Sequence, residues 1–163
     1  MIPESPVPTQ EEAILKRVRL LSHVLDNAVP IPGTSYRVGI DPLLGLLPGG
    51  GDVVGGALSA YLVLEASRLG LPRATLVRMV TNIIIESLAG TVPVIGDLFD
   101  VTWKANARNL ALLEHHVRSP RTTKAADRRF VILLLVGLAI VVIGIASFVV
   151  FMLSLLLRAI GGG

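Results

Sequence analysis

The chain has 163 residues, of which 52% are hydrophobic, 17% charged and 4% aromatic, and its mean hydropathy is +0.71. A soluble domain runs nearer ~25% charged residues, so this composition argues against a freely soluble globule and against disorder, which needs low hydrophobicity. With no cysteine in the chain, disulfides, thiol catalysis and Cys-zinc sites are excluded.

The formal charge is +3, from 15 Lys and Arg against 12 Asp and Glu. Residues 118–129 hold Arg118, Arg121, Lys124, Arg128 and Arg129 against Asp127 alone, a local net of +4. The basicity is therefore one cluster placed just before an apolar run. That pattern predicts a membrane topology signal and lipid contact through Arg121, Lys124, Arg128 and Arg129. With so few aromatics to stack on bases, nucleic acid is not expected as a partner.

Residues 1–9 contain three prolines, one acid and no basic residue, which predicts a short disordered tail rather than a leader. A helix is expected next, because Thr9 and Glu12 have capping-box spacing. Ile14, Val18, Leu21 and Leu25 then mark one apolar face, and Pro30 and Pro32 stop it. Residues 31–39 read as a connector turning at Pro32-Gly33.

Asp41-Pro42 opens a short helix that breaks at Pro48-Gly49-Gly50-Gly51. Asp52 is expected to cap a longer helix to Leu69, which Gly70 and Pro72 terminate. Another helix is predicted from Pro72 to Ala89, and Asp97 is expected to cap a last one reaching Val117. No segment alternates, so the body, residues 10–117, reads as all-α.

Two stretches of the body match at an offset of 45. Asp41-Pro-Leu43-Leu-Gly45-Leu-Leu-Pro48-Gly-Gly-Gly51-Asp52 and Glu86-Ser-Leu88-Ala-Gly90-Thr-Val-Pro93-Val-Ile-Gly96-Asp97 share acid-x-Leu-x-Gly-x-x-Pro-x-x-Gly-Asp. Segments 41–52 and 86–97 thus predict two helix–hairpin–helix pseudo-repeats, in which Pro42, Pro48, Gly51, Pro93 and Gly96 shape the turns and Asp41, Asp52 and Asp97 cap helices. Both loops are apolar, which suits core packing, a re-entrant turn covered by protein, or an oligomer interface.

Glu86 stands apart, in the most apolar helix of the body. Arg78, Asn82 and Glu86 are spaced four apart, so they form one polar stripe. Either that stripe is solvated, or Glu86 is a buried acid paired across the repeat. Asp100, Lys104 and Arg108 read as a similar surface stripe. Gly49-Gly50-Gly51 lacks the Lys-Ser or Lys-Thr of a P-loop, and His23, His115 and His116 lack ligand spacing. No metal site or cofactor is expected. Oxygen ligands from Asp41, Asp52, Glu86, Asp97 and Asp100 would be the one route to a metal-dependent membrane enzyme.

Residues 118–129 form the basic linker, and residues 130–158 a transmembrane helix. Phe130–Leu157 carries no charge, and its ~42 Å exceeds the ~30 Å of bilayer hydrocarbon. The flanking arginines predict a cytoplasmic N-terminus. Gly137, Gly144, Ser147 and Ser154 offer a small-residue packing seam.

Several ordered blocks carry a resemblance. Ile31-Pro-Gly-Thr34 with Arg37, Gly39-Ile-Asp-Pro42, Gly45-Leu-Leu-Pro48, Gly51-Asp52 and Leu64-Glu-Ala66 are followed by Pro93-Val-Ile-Gly-Asp97, Phe99-Asp100, Lys104-Ala-Asn106 and Arg108-Asn109. Over residues 16–117 the chain resembles the bacterial domain-of-unknown-function family 4112. That resemblance implies a membrane-associated bacterial protein and lends no catalytic residue.

The sequence thus predicts an all-α helical body with one C-terminal transmembrane helix, in a bacterial plasma (inner) membrane. The expected function is that of a non-enzymatic, membrane-anchored module, a homo-oligomer associating through its Gly-rich and apolar loops. The competing expectation is an oligomeric ion or proton pathway using Glu86, Asp52 and Asp97.

Overall fold

The computed structural model describes residues 9–30, 32–33, 37–38, 51–91, 103–119 and 124–161. Helix α1 (Gln10–Asn27) starts with the expected capping box. Thr9 Oγ1 accepts from the Glu12 N–H at 3.2 Å, and the Glu12 carboxylate accepts from the Thr9 N–H at 2.8 Å. Two of the helix's unpaired N–H groups are satisfied in this way. Ile14, Val18 and Leu25 are buried on the predicted face.

The all-α class holds, with one addition after α1 that the sequence reading did not include. Strands β1 (Val29–Pro30) and β2 (Arg37–Val38) pair antiparallel, Val29 opposite Val38 and Pro30 opposite Arg37. Pro30 and Pro32 cannot donate to a continuing helix. Gly33, at φ +80°, takes the left-handed conformation that the turn needs.

Helix α2 (Gly51–Arg68) begins at Gly51, so Asp52 falls inside its first turn rather than at the N-cap. It ends in a Schellman motif: the Leu71 N–H reaches the Ala66 carbonyl at 3.3 Å and the Gly70 N–H reaches Ser67 at 3.1 Å, with Gly70 at φ +80°. Pro72 then starts α3 (Arg73–Gly90). Helix α4 spans Ala105–Arg118. Because Trp103 and Lys104 are non-helical, the helix expected from Asp97 to Val117 is not continuous, and the predicted i,i+4 stripe does not run through Lys104.

Helix α5 (Arg128–Gly161) contains the predicted span. Asp127 precedes it and accepts from the Phe130 N–H at 2.8 Å. Among the described residues it is the one helix long and apolar enough to cross a membrane.

Contacts along the helices set their directions. Asn109 of α4 bonds Met79 and Asn82 of α3, while Glu86 of α3 meets the start of α4, so the two are antiparallel. Asp26 of α1 also meets the start of α4 and Arg19 its end, near Glu114. Gly70, just past the end of α2, lies against Ala125, which precedes α5, and Gly56 near the start of α2 lies against Val142, so α2 runs antiparallel to α5. Helices α1–α4 therefore form an antiparallel bundle with α5 along its α2–α3 side.

One end gathers Arg73, Asp127 and the first turn of α5. The other gathers Asp26, the start of α4, the last turn of α3 and, alongside them, Val142. Segments 39–50 and 92–102 join elements that terminate at this Asp26 end.

The core is continuous from the bundle into α5. Leu62, Val63, Ala66, Leu71, Leu76, Met79 and Ile83 are almost wholly buried, and Val131, Leu138 and Val142 close the same cluster. The buried stripe on α5 stops at Val142. A Cβ on Gly56 would stand 3.2 Å from Val142 Cγ1, so the glycine lets the helices approach. The basic linker is part of this joint. Ala126 N–H donates to the Leu71 carbonyl at 3.2 Å, and Arg73 pairs with Asp127 while its guanidinium sits 4.9 Å from the Phe130 ring centre.

Candidate functional site

Helix α4 has Lys104 at its N-cap, and no side-chain cap. Its first N–H groups must find other acceptors, since a helix start leaves up to four of them unpaired. Two carboxylates from other helices supply them. Glu86 Oε1 of α3 accepts from the Ala105 N–H at 2.9 Å, and Asp26 Oδ2 of α1 accepts from the Ala107 N–H at 2.6 Å. Each negative group also faces the positive end of the helix dipole.

From this point a polar seam runs into the core. Asn106 is fully buried; its amide donates to Asp26 Oδ1 at 2.8 Å, and its carbonyl oxygen accepts from Ser59 Oγ of α2 at 2.9 Å. One turn on, the buried Asn109 donates to the Met79 carbonyl at 3.1 Å and accepts from Asn82 at 2.9 Å. Four helices are thereby fixed to one another through α4. Lys104 adds β2 by donating to the Arg37 carbonyl at 2.7 Å.

Asp26 carries the electrostatic strain of this seam. Burial pushes its carboxyl above the ordinary 3.8; the bonds from Asn106 and Ala107 and the nearby Lys104 charge oppose that rise without cancelling it. Buried polar groups left without partners are costly, and here the pairing dictates how α1, α2 and α3 sit on α4. A second buried acid, Glu65 of α2, pairs through Oε1 with Arg68 at 2.6 Å.

The predicted site residues separate into three groups. Glu86 is half-buried and engaged at the start of α4, neither on a fully solvated face nor paired with another acid among the described residues. Gly51 and Asp52 open α2. Asp41, Pro42, Pro48, Pro93, Gly96, Asp97 and Arg121 lie outside the described residues, as do Asp100 and most of the first pseudo-repeat. Lys124, Arg128 and Arg129 are exposed at the Arg73 end. Among the described residues no three His, Asp or Glu side chains converge as metal ligands.

Asp26 and Ser59 were not singled out by the sequence, and Asn106 and Asn109 entered only through the family resemblance, with no role. A signal existed, since Asn106 and Asn109 share a helical face with Leu113, and Asp26 follows Ser22 on the buried side of α1. Polar residues at core positions mark a hydrogen-bonded network.

The blocks Leu64-Glu-Ala66, Lys104-Ala-Asn106 and Arg108-Asn109 fall on or beside this seam. No curated protein and no solved structure matches the chain. A family model described as "Domain of unknown function (DUF4112)" matches residues 14–117, from the first buried turn of α1 to the end of α4. The chain belongs to that family.

Proposed function

We propose that the protein is a membrane-anchored, self-associating helical module without a catalytic step. Its bundle would stand on the bilayer at the Asp26 end. The observation that carries this reading is the division of α5 into two lengths. Arg128–Val142 packs on the bundle, whereas Ile143–Gly161 has no buried residue and exposes Phe148, Phe151, Leu153, Leu156 and Ile160. The second length is ~28 Å at ~1.5 Å per residue, close to the ~30 Å of hydrocarbon it must cross.

Because α5 leaves the bundle at the Asp26 end, that end would face lipid. Segments 39–50 and 92–102, with Leu46-Leu47-Pro48 and Val92-Pro93-Val94-Ile95, are attached there, which supplies a reason for loops so apolar. The basic residues then lie on the distal side. Arg128 is ~20 Å from Val142 along the helix, well beyond a Debye length of ~8 Å. In this arrangement Lys124, Arg128 and Arg129 serve as a cytoplasmic topology signal, and direct lipid contact by these three loses its support.

Self-association is supported by the outer face of the docked length. Ile132, Leu133, Val136 and Ile140 are 49–71% exposed, on a stretch that this orientation holds in water. A second copy covering them would remove that cost. No observation favours the ion pathway, in which Glu86 would have to leave the α4 N–H it now accepts from.

The natural chain has no cysteine, so single labels test the orientation cleanly. In reconstituted full-length protein, a probe on Leu88→Cys at the Asp26 end is expected to be quenched by a lipid-phase quencher. A probe on Arg118→Cys at the opposite end is expected to be quenched only from water. Equal aqueous quenching at both positions would refute the orientation. A strictly monomeric mass in mild detergent would refute self-association.

A further inference from the structure

Helices α3 and α4 border a groove of about 510 Å³ on the outside of the bundle. Arg78, Thr81 and Asn82 of α3 line it on one side, and Arg108, Ala111, Leu112 and His115 of α4 on the other. No acidic side chain lines it. The neighbouring carboxylates of these helices are bound elsewhere, Glu86 to the Ala105 N–H and Glu114 to Arg19 and Arg118. Among the described residues neither Arg78 nor Arg108 has a carboxylate partner.

We propose that this groove binds a phosphate-bearing anion. Arg78 and Arg108 line the same groove from facing helices, so an anion seated there can take donors from both. Each presents a planar fork of donors that matches phosphate oxygens two at a time. A phosphate has oxygens enough for both forks, whereas one carboxylate is filled by a single fork.

The donors are held ready. The Arg108 guanidinium is 3.8 Å from the centre of the Trp103 ring, and stacking of this kind restricts a long side chain to one orientation. Asn82 is fixed by its bond to Asn109 in the buried seam. Ala111 and Leu112 offer apolar surface beside the arginines for the carbon part of a phosphate ester. The same chemistry is offered by a soluble phosphate compound and by an anionic lipid headgroup, and this inference does not depend on the reading of self-association.

Trp103 is the sole tryptophan of the chain, so its emission reports directly on Arg108. Full-length protein in phosphatidylcholine nanodiscs is titrated with inorganic phosphate, against chloride at equal ionic strength. A parallel sample is placed in nanodiscs containing phosphatidylglycerol. The expected result is a saturable change in Trp103 emission that chloride does not reproduce. Arg78→Gln should weaken it at least about tenfold, while the exposed control Arg118→Gln leaves it intact, circular dichroism being unchanged in both.

A response to inorganic phosphate identifies a soluble ligand. A response to phosphatidylglycerol alone, lost in Arg78→Gln, identifies a headgroup. Absence of a saturable response in both samples, or an equal response in Arg78→Gln, overturns the proposal.

Discussion

Replacing Asp26 by alanine tests the polar seam at its most connected point. Asp26 is 6% exposed and holds two donors, the Asn106 amide at 2.8 Å and the Ala107 N–H at 2.6 Å. The alanine leaves both without an acceptor, and an orphaned buried donor costs about 1–3 kcal/mol. Removing a buried carboxylate whose desolvation is incompletely offset returns part of that cost. The net expectation is a loss of about 2–4 kcal/mol of stability at neutral pH.

The pH dependence has a definite sign. The folded-state carboxyl titrates above 3.8, so the native state takes up this proton before the unfolded state does. The contribution of Asp26 therefore improves as pH falls from the raised value towards 3.8 and worsens as pH rises through that window. Asp26→Asn removes this component while keeping one acceptor, so its cost should be smaller than that of alanine. Denaturant unfolding of the full-length protein in neutral detergent, followed by far-UV circular dichroism across a pH series, measures both effects. An alanine variant within about 0.5 kcal/mol of the parent at pH 7, or an Asp26 contribution that grows with pH, would refute the reasoning.

Three further outcomes are expected. Gly56→Leu drives a side chain into Val142, where even a Cβ has only 3.2 Å; it should destabilise the folded protein by about 1–3 kcal/mol in the same unfolding assay, and an unchanged midpoint would show that α2 and α5 are not packed this closely. Ser59→Ala deprives the Asn106 carbonyl of its donor and should cost about 1–3 kcal/mol in the same unfolding assay. A fragment ending at residue 124 loses Val131, Leu138 and Val142 from the core, about 5–9 kcal/mol at 1.5–3 per buried side chain; it should aggregate on size exclusion, while a fragment ending at residue 144 retains cooperative unfolding.

The local features of the fold were legible because each has a local cause. The Thr9–Glu12 box, the Gly70 terminus and the uncharged run of α5 depend on neighbours within a few residues. What escaped depends on distant parts of the chain. Lys104 gives no hint of a capped helix, since the capping oxygens come from Asp26 and Glu86. Glu86 looked like a candidate for ion chemistry because it sits in an apolar helix, and it accepts from a backbone N–H, a bond that no side-chain pattern encodes. The two-residue strands are too short for alternation to register. The apolar run alone did not disclose that its first half is bundle core: a buried stripe and a lipid-facing stripe have the same composition.

On the proposed reading, that double use of α5 orders events during biogenesis. The bundle is synthesised before the helix that seals its α2–α3 side, so the shared core lacks Val131, Leu138 and Val142 until the chain has been made at least that far. Translocation machinery takes hold of an apolar helix as it emerges, and the same residues are then sought by the fold and by the insertion apparatus. A chain whose span fails to enter the bilayer keeps the exposed apolar length from Ile143 to Ile160 in water, continuous with a helix packed on its own core. A defect in targeting is thereby exposed on the surface of an otherwise folded protein, where proteases and chaperones can act on it.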